Sequence, residues 1–226
     1  MGISFSEHNK RFYDASDQKW LRQLAESKGL TGNRDLEAIR KTLTERLPQE
    51  NGSILEIGVG FGRVGEWLTT HYPHIDYTGL DFSVPGVEHC RRSLQANDHR
   101  RFILDDILNF SENNRFDVAL WPWSGLFELS NDDKPKALRN IFKALRPDGV
   151  LMMDFPKQVT GREKLVYKDR GIVEQHSEFG YVRNQLLSTE ELDQLLGREG
   201  FVPVDEIRYV SDSGYERFVK IVRKGA

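Results

Sequence analysis

The sequence lacks the features of several large classes of protein. A single cysteine among 226 residues, Cys90, excludes an intramolecular disulfide and a cysteine-based zinc cluster. A reducing compartment is the natural setting for such a chain. No apolar run approaches the length needed to cross a membrane, and the N-terminus reaches charge at Glu7 without the apolar core of a signal peptide. We therefore expect a cytoplasmic protein with no membrane partner.

Excess charge of one sign is also missing. The chain has 32 basic and 35 acidic residues and a formal net charge of -3. The basic residues are scattered without a long single-sign block, so nucleic acid is not an expected partner. Hydrophobic residues make up 38% of the chain, enough to bury a core. This length fits one domain, and we expect a monomer or a homodimer.

Strands and helices alternate along most of the sequence. Apolar residues at three- and four-residue spacing from about 16 to 47, interrupted at 29–33, predict two N-terminal helices. Short apolar runs bounded by turns then predict five strands, at Ser53–Ile57, Tyr77–Asp81, Arg101–Leu104, Phe116–Leu120 and Val150–Phe155. Helical patterns lie between these runs. The alternation predicts an α/β fold, with a doubly wound, mainly parallel sheet covered on both faces.

The last third of the chain breaks this alternation. Within residues 157–187, three short runs predict a small β insertion after the fifth strand, at Lys164–Tyr167, Ile172–His176 and Tyr181–Leu186. Two final runs, Phe201–Tyr209 and Arg217–Val222, predict an antiparallel hairpin that completes a seven-stranded sheet. We expect one domain over residues 1–226, with residues 1–50 as a helical cap and 157–187 as lid-like strands.

A glycine-rich turn after the first strand is the strongest functional signal. Glycines alternate at Gly58, Gly60 and Gly62, so the backbone can approach a ligand closely and then turn into a helix. The segment from Gly60 to Gly65 also fits the dinucleotide fingerprint G-x-G-x-x-G. In that register Glu56 would stand where the strand needs an apolar residue. The alternating-glycine register is therefore favoured.

Residues 56–62 resemble the first motif of the class I S-adenosylmethionine-dependent methyltransferases, (Asp/Glu)-x-Gly-x-Gly-x-Gly, at every fixed position. The resemblance continues in order from about Ser53 to Val222. It implies a Rossmann-like fold and an enzyme that binds S-adenosylmethionine, transfers its methyl group in line to nitrogen or oxygen of a small molecule, and releases S-adenosylhomocysteine. It also implies cofactor-binding roles for Glu56, Gly58, Gly60 and Gly62.

The resemblance assigns further cofactor contacts at the ends of the next two strands. Asp81 matches the acidic residue that binds both ribose hydroxyls, which a carboxylate accepts well, and Phe82 follows it. Asp106 and Ile107 match the segment that contacts the adenine amine. We prefer Asp106 to the adjacent Asp105 because the residue before that acid is usually small in the family.

The remaining candidates lie around the expected methyl acceptor. Trp121 and Trp123 follow the fourth strand, where α/β sheets bind ligands, and we place Trp121 against the cofactor and Trp123 in the substrate pocket. Tyr13 belongs to an aromatic-acidic segment that many relatives fold over the cofactor. In the inserted strands, Tyr167 and His176 are expected to face the acceptor, with His176 as the candidate general base. No metal is expected.

Three other functions stay open at the level of sequence. A nicotinamide-dependent oxidoreductase would use the same turn, and it predicts a parallel sixth strand. A non-catalytic S-adenosylmethionine-binding module would keep Gly58, Gly60, Gly62 and Asp81 without turnover. Methylation of a protein or an RNA would usually require an added recognition domain or a basic stripe, and the sequence has neither.

Overall fold

The computed structural model describes residues 4–27, 29–48, 51–157, 165–167 (backbone only) and 171–226. Seven strands form the central sheet: β1 Ser53–Ile57, β2 Asp76–Asp81, β3 Arg100–Leu104, β4 Phe116–Trp121, β5 Leu145–Pro156, β9 Phe201–Val210 and β10 Glu216–Lys224. A separate three-stranded sheet consists of β6 Leu165–Tyr167, β7 Ile172–Ser177 and β8 Gly180–Gln185.

The described residues also include seven α-helices and one 3-10 helix. The helices are α1 Phe5–Ala15, α2 Gln18–Ser27, α3 Arg34–Arg46, α4 Arg63–His71, α5 Val84–Ser93, α6 Lys134–Ala144 and α7 Thr189–Arg198. The 3-10 helix, Gly125–Glu128, follows β4. None of the helices in these ranges is long and apolar enough to cross a membrane.

The strand order of the central sheet is β3-β2-β1-β4-β5-β10-β9. Strands β1 to β5 are parallel to one another, and β10 runs antiparallel to both β5 and β9. The predicted sheet, the closing hairpin and the β insertion are therefore confirmed. An antiparallel β10 disagrees with the parallel sixth strand of the oxidoreductase alternative. The order reverses between β1 and β4, where open α/β sheets bind ligands.

Helices cover both faces of the central sheet. Leu55 of β1 packs in a cluster with Leu138 of α6 and Leu195 of α7. Its neighbour Ile54 packs in a second cluster with Leu43 and Leu68 on the other face. All five residues of β1 are buried, which explains why the strand reads as an apolar run rather than an alternating one. Because helices cover both faces of the sheet, we expect a ligand site at the carboxyl ends of the parallel strands.

One helix more than the two predicted precedes the sheet. The side chain of Ser4 caps α1 by accepting the backbone N–H of Glu7 at 3.1 Å. The buried face of α1 consists of Ser6, Asn9 and Phe12. Since two of these three residues are polar, the apolar spacing that predicts α2 and α3 is absent from α1.

Strand β5 begins five residues earlier than predicted. Leu145 already pairs with Phe116, and the register then shifts before Val150 pairs with Val118. Asp148 has a φ of 61° in this irregular stretch. Residues 146–149 are therefore part of an irregular strand.

Candidate functional site

A cleft of about 810 Å³ opens where the parallel strands end. The ends of β1, β2 and β3 form one side of it, with Ile57, Gly58, Gly60, Leu80, Asp81, Phe82, Ser83, Asp105 and Ile107. The segment after β4 forms the other side, with Trp121, Pro122, Trp123, Gly125, Glu128 and Leu129. Tyr13 of α1 and Leu21 of α2 complete the lining. We call these two walls the β1–β3 side and the β4 side.

The glycine turn presents bare backbone to the cleft. Gly58 and Gly60 have φ values of 78° and 52°, and a Cβ added at either would meet no atom within 4 Å. This left-handed conformation favours glycine, and the open space lets a ligand approach the main chain. Gly62 differs, because it caps the start of α4 with a φ of 86° and an added Cβ would lie 3.3 Å from the Sγ of Cys90. Gly62 shapes the turn without lining the cleft.

Asp81 is fixed beside this turn. Its Oδ2 accepts the backbone N–H of Gly60 at 2.9 Å, and its Oδ1 accepts that of Ser83 at 2.8 Å. Burial raises the pKa of Asp81, and these two backbone hydrogen bonds act in the opposite direction. Each oxygen of a carboxylate can accept more than one hydrogen bond. Asp81 is thus suited to receive the two hydroxyls of a diol.

The structure does not place Glu56 in the cleft. Side chains alternate along β1, so Glu56 points away from the face of Ile57, which lines the cleft. The Oε2 of Glu56 instead accepts the hydroxyl of Tyr77 at 2.5 Å. Burial raises the pKa of Glu56 to about 8, and the bond from Tyr77 and the charge of Arg63 oppose this only in part. Glu56 supports the β1–β2 pair from behind the turn.

Of the two adjacent aspartates after β3, Asp105 lines the cleft and Asp106 does not. The Oδ2 of Asp106 accepts the hydroxyl of Ser6 in α1 at 2.5 Å, and its Oδ1 accepts the backbone N–H of Leu108 at 2.9 Å. The structure thus places Asp105, rather than the preferred Asp106, at the cleft, because the carboxylate of Asp106 anchors α1. Which of the two meets the adenine stays a prediction. Ile107 also lines the cleft.

Trp121 and Trp123 both line the β4 side. The backbone at Trp123 and Ser124 has φ values of 61° and 63°, a left-handed pair that costs about 1–3 kcal/mol per residue outside glycine. The backbone N–H of Ser124 donates to the carbonyl of Asp154 at 2.9 Å. The hydroxyl of Ser124 accepts a hydrogen bond from Arg217 at 3.3 Å. Arg217 and Asp154 themselves form a buried ion pair.

The 3-10 helix brings Glu128, a residue that the sequence analysis missed, into the cleft. The hydroxyl of Tyr13 donates to its Oε1 at 2.6 Å, and the ring of Tyr13 lies 5.8 Å from that of Phe82. Burial, followed by the Glu128 carboxylate, raises the pKa of Tyr13 well above its ordinary value, so the hydroxyl stays a donor. The only signal for Glu128 in the sequence was its position in the segment that follows β4.

The structure does not bring His176 to the cleft. Its ring stacks on Tyr181 with centroids 5.0 Å apart, and its Nε2 lies 3.5 Å from Glu174. These contacts hold the ring within the inserted sheet, and His176 is not among the described residues that line the cleft. Tyr167 belongs to β6, and the prediction for its side chain falls outside the described part of the structure.

Comparison with known proteins gives a family match over part of the chain. A family model described as a methyltransferase domain matches residues 54–149. Phosphoethanolamine N-methyltransferase of Plasmodium falciparum is 30% identical over 120 residues, 52% of this chain and 44% of that protein. Malonyl-[acyl-carrier protein] O-methyltransferase of Bacillus anthracis is 28% identical over 177 residues, 74% of this chain and 60% of that protein. The chain thus spans less than two thirds of either relative.

Solved structures share the fold over the whole chain. The N-methyltransferase NodS from Bradyrhizobium japonicum WM9, crystallised with S-adenosyl-L-homocysteine, has a TM-score of 0.67 at 20% identity and covers 99% of this chain and 100% of that one. The fold and the cleft define a Rossmann-like domain with the sheet topology of methyltransferases. The methyltransferase-domain match covers residues 54–149, and the fold is that of solved S-adenosylmethionine-dependent methyltransferases. Relatives' names span several acceptors, ribosomal RNA included, so similarity alone does not assign the acceptor.

Proposed function

We propose that the protein is an S-adenosylmethionine-dependent methyltransferase that methylates nitrogen or oxygen of a small-molecule acceptor. The observation that carries this proposal is the position of Gly58 and Gly60, with left-handed φ and open space above their backbone, in the same cleft as the buried carboxylate of Asp81. A nucleoside needs close approach to the main chain and an acceptor for its ribose hydroxyls.

The β1–β3 side is assigned to the cofactor. Asp81 would receive the ribose hydroxyls, while Asp105 and Ile107 would meet the adenine. Phe82 and Trp121 supply apolar surface in the same cleft. When bound, S-adenosylmethionine supplies a methyl carbon made electrophilic by its sulfonium. The chain's own contribution is to hold the reactants in line and to exclude water.

The β4 side is assigned to the acceptor. The cleft is lined mainly by apolar and aromatic residues with a few polar groups, which is the usual composition of small-molecule sites and supports a small acceptor. The hydrogen bond from Tyr13 to Glu128 joins α1 to the β4 side, and we infer that α1 and the inserted sheet act as a lid. A single chain supplies all of these residues, so both a monomer and a homodimer are compatible with the site.

Binding is tested first by calorimetry with S-adenosylhomocysteine and, separately, with NADH. We expect S-adenosylhomocysteine to bind and NADH not to bind. Asp81→Ala should weaken binding of S-adenosylhomocysteine by about 1–3 kcal/mol. The control is Asp76→Ala, at the opposite end of the same strand with half of its side chain exposed, and it should leave affinity unchanged. Binding of NADH alone would support the oxidoreductase instead.

Turnover is tested by incubating the protein with S-adenosylmethionine that carries a labelled methyl group. One sample receives a metabolite extract and a second receives total RNA. Label in a low-molecular-weight product supports the proposal, and label in RNA replaces it with a macromolecular acceptor. Binding of S-adenosylhomocysteine without transfer to either pool would favour a non-catalytic binding module.

A further inference from the structure

Lys134, the first residue of α6, is fully buried. Lysine is almost never fully buried in a protein unless its ammonium has partners. Its Nζ donates to the backbone carbonyl of Leu129 at 2.7 Å, to the side-chain oxygen of Asn131 at 2.8 Å and to the backbone carbonyl of Gln185 at 2.8 Å. An ammonium has three N–H groups to donate, so all of them are used. We call these four residues the Lys134 junction.

The junction connects two parts of the molecule that are far apart in sequence. Leu129 follows the 3-10 helix and lines the cleft on the β4 side. Gln185 is the last residue of β8 in the inserted sheet. The backbone N–H of Asn131 also donates to the Oε1 of Gln185 at 2.7 Å, so a further bond joins the same two segments. The inserted sheet is thereby attached to the wall of the cleft through Lys134.

The amine of Lys134 is bonded to neutral oxygens and forms no ion pair with the described carboxylates. Asp133 is the one described residue whose charge acts on this amine, and its carboxylate accepts the hydroxyl of Ser130 at 2.6 Å. Burial lowers the pKa of Lys134 to about 7, and the charge of Asp133 opposes this shift only in part. The junction therefore holds an amine whose charge changes near neutral pH.

From this arrangement we infer that Lys134 is the latch of the lid: breaking its three hydrogen bonds releases β8 from the β4 side of the cleft and opens the site. The inference rests on the proposed function, because it takes the inserted sheet as part of the lid of that cleft. Lys134 is not among the described residues that line the cleft. It therefore acts as a positioning residue, through Leu129 and Gln185.

Opening of the Lys134 junction is expected to take up a proton. In the open state the amine returns to water and to its ordinary pKa of 10.5, against about 7 in the closed state. Between these two values the open state binds more protons than the closed state. Lowering the pH across this window therefore favours opening, and raising the pH favours closure. Below the lower value both states are protonated, and the effect ends.

Hydrogen exchange of the unmodified protein tests the latch without a substitution. The reporter is the backbone N–H of Asn131, which donates to Gln185 across the junction. After correction for the intrinsic exchange rate, its opening constant should be at least about fivefold larger at pH 6.5 than at pH 8.0. Amides of β1 and β4 should open at least about tenfold less often at both pH values, because opening of the junction leaves the central sheet folded.

The variant Lys134→Met keeps a long side chain and removes the three donors. Its opening constant at Asn131 should exceed that of the unmodified protein at least about tenfold at pH 8.0 and should be the same at pH 6.5. Stopped-flow measurements should show S-adenosylhomocysteine associating and dissociating at least about threefold faster, because an open lid speeds passage in both directions. The control Lys136→Met, exposed on the same helix, should change none of these values.

Each other outcome overturns a defined part of the assignment. An opening constant at Asn131 that does not change with pH, or that equals those of β1 and β4, overturns the latch and leaves the proposed function intact. The same holds if the pH dependence survives in Lys134→Met, or if that variant speeds dissociation alone. Should Lys134→Met fail to fold, the exchange of the unmodified protein decides. Failure of the unmodified protein to bind S-adenosylhomocysteine removes the proposed function and, with it, the role of the lid.

Discussion

The hydroxyl of Tyr13 donates a hydrogen bond of 2.6 Å to the Oε1 of Glu128, so the first helix of the chain is joined to the segment that follows β4. Other contacts hold the same helix at the cleft. Ser6 donates to Asp106 after β3, and Asp14 accepts the backbone N–H of Val84 at the start of α5 at 3.1 Å. An N-terminal helix with three such attachments forms part of the site rather than a separate appendage.

The Tyr13 bond is expected to slow release of the cofactor. Tyr13→Phe keeps the ring beside Phe82 and removes only the hydroxyl. A hydrogen bond to a charged group contributes about 1.5–3 kcal/mol, so S-adenosylhomocysteine should dissociate at least about tenfold faster, as measured by stopped-flow displacement. Tyr215→Phe, in the turn between β9 and β10, is the control and should leave the rate unchanged. Equal rates in all three proteins would show that the bond does not retain the ligand.

Cofactor affinity is expected to depend on the ionisation of Asp81. Burial raises the pKa of this carboxyl, and only the carboxylate accepts two hydroxyls. As the pH is lowered, affinity for S-adenosylhomocysteine should therefore begin to fall at a higher pH than an ordinary aspartate would give, about 4. Calorimetry between pH 4.5 and 7.5 measures this. Asp81→Asn should bind more weakly with a flat profile, and a flat profile in the unmodified protein would contradict the prediction.

Glu56 is expected to make stability fall as the pH rises. In the folded protein burial raises the pKa of Glu56 to about 8, against an ordinary value of 4.5. A carboxyl whose pKa is higher in the folded than in the unfolded protein stabilises the fold at low pH. This stabilisation is lost as the pH rises from the unfolded-state pKa through the folded-state pKa. At about 1.4 kcal/mol per pKa unit, Glu56→Gln should gain about 3 kcal/mol relative to the unmodified protein between pH 5.5 and 8.

Chemical denaturation at those two pH values tests the role of Glu56. Glutamine keeps an oxygen for the hydroxyl of Tyr77, so the packing of β1 against β2 is preserved. The control Glu45→Gln lies on the exposed face of α3 and should show no such gain. If the stability difference between Glu56→Gln and the unmodified protein stays constant with pH, the ionisation of Glu56 does not affect the stability of the fold.

Most of the fold follows from patterns that the sequence displays openly. The buried run at β1, the turn residues after it and the closing hairpin each depend on local chemistry, so their order fixes the sheet. Helix α1 was missed because Ser6 and Asn9, two of its three buried residues, are polar. The Ser-x-x-Glu cap at Ser4 was visible in the sequence, and the same pattern stands at the start of α7, where Ser188 is the N-cap.

The site was predicted less completely than the fold. A motif places a residue at the end of a strand, but it does not say which way its side chain points. Glu56 and Asp106 stand in the expected segments, yet strand alternation turns the first away from the cleft and Ser6 draws the second toward α1. Glu128 depends on a 3-10 helix and on a contact over more than 100 residues of chain, which local sequence does not reveal.

The ion pair of Arg217 and Asp154 is expected to support the wall that carries Trp123. Both side chains are buried, with Nη2 of Arg217 2.6 Å from Oδ2 of Asp154. Removing one partner of such a pair costs about 3–5 kcal/mol, so Arg217→Met should lose that much stability in urea denaturation. Adding Asp154→Asn should restore part of it. The control is Arg208→Met, on the exposed part of β9, and a loss of equal size there would contradict the assignment.

Asn9 is expected to decide whether α1 stays attached to the inserted sheet. It is fully buried; its amide donates to the carbonyls of Glu128 and Arg183 at 2.8 Å, and its oxygen accepts the backbone N–H of Arg183 at 2.8 Å. Asn9→Asp keeps the shape but sets an acceptor against both carbonyls. Amides of α1 and β8 should then exchange hydrogen at least about tenfold faster while β1 and β4 stay protected, and binding of S-adenosylhomocysteine should weaken because Tyr13 leaves with the helix. The control Gln23→Glu adds the same charge on the exposed face of α2 and should change neither the exchange rates nor the affinity for S-adenosylhomocysteine. Uniformly faster hydrogen exchange across the central sheet would instead make Asn9 a general stabiliser of the fold.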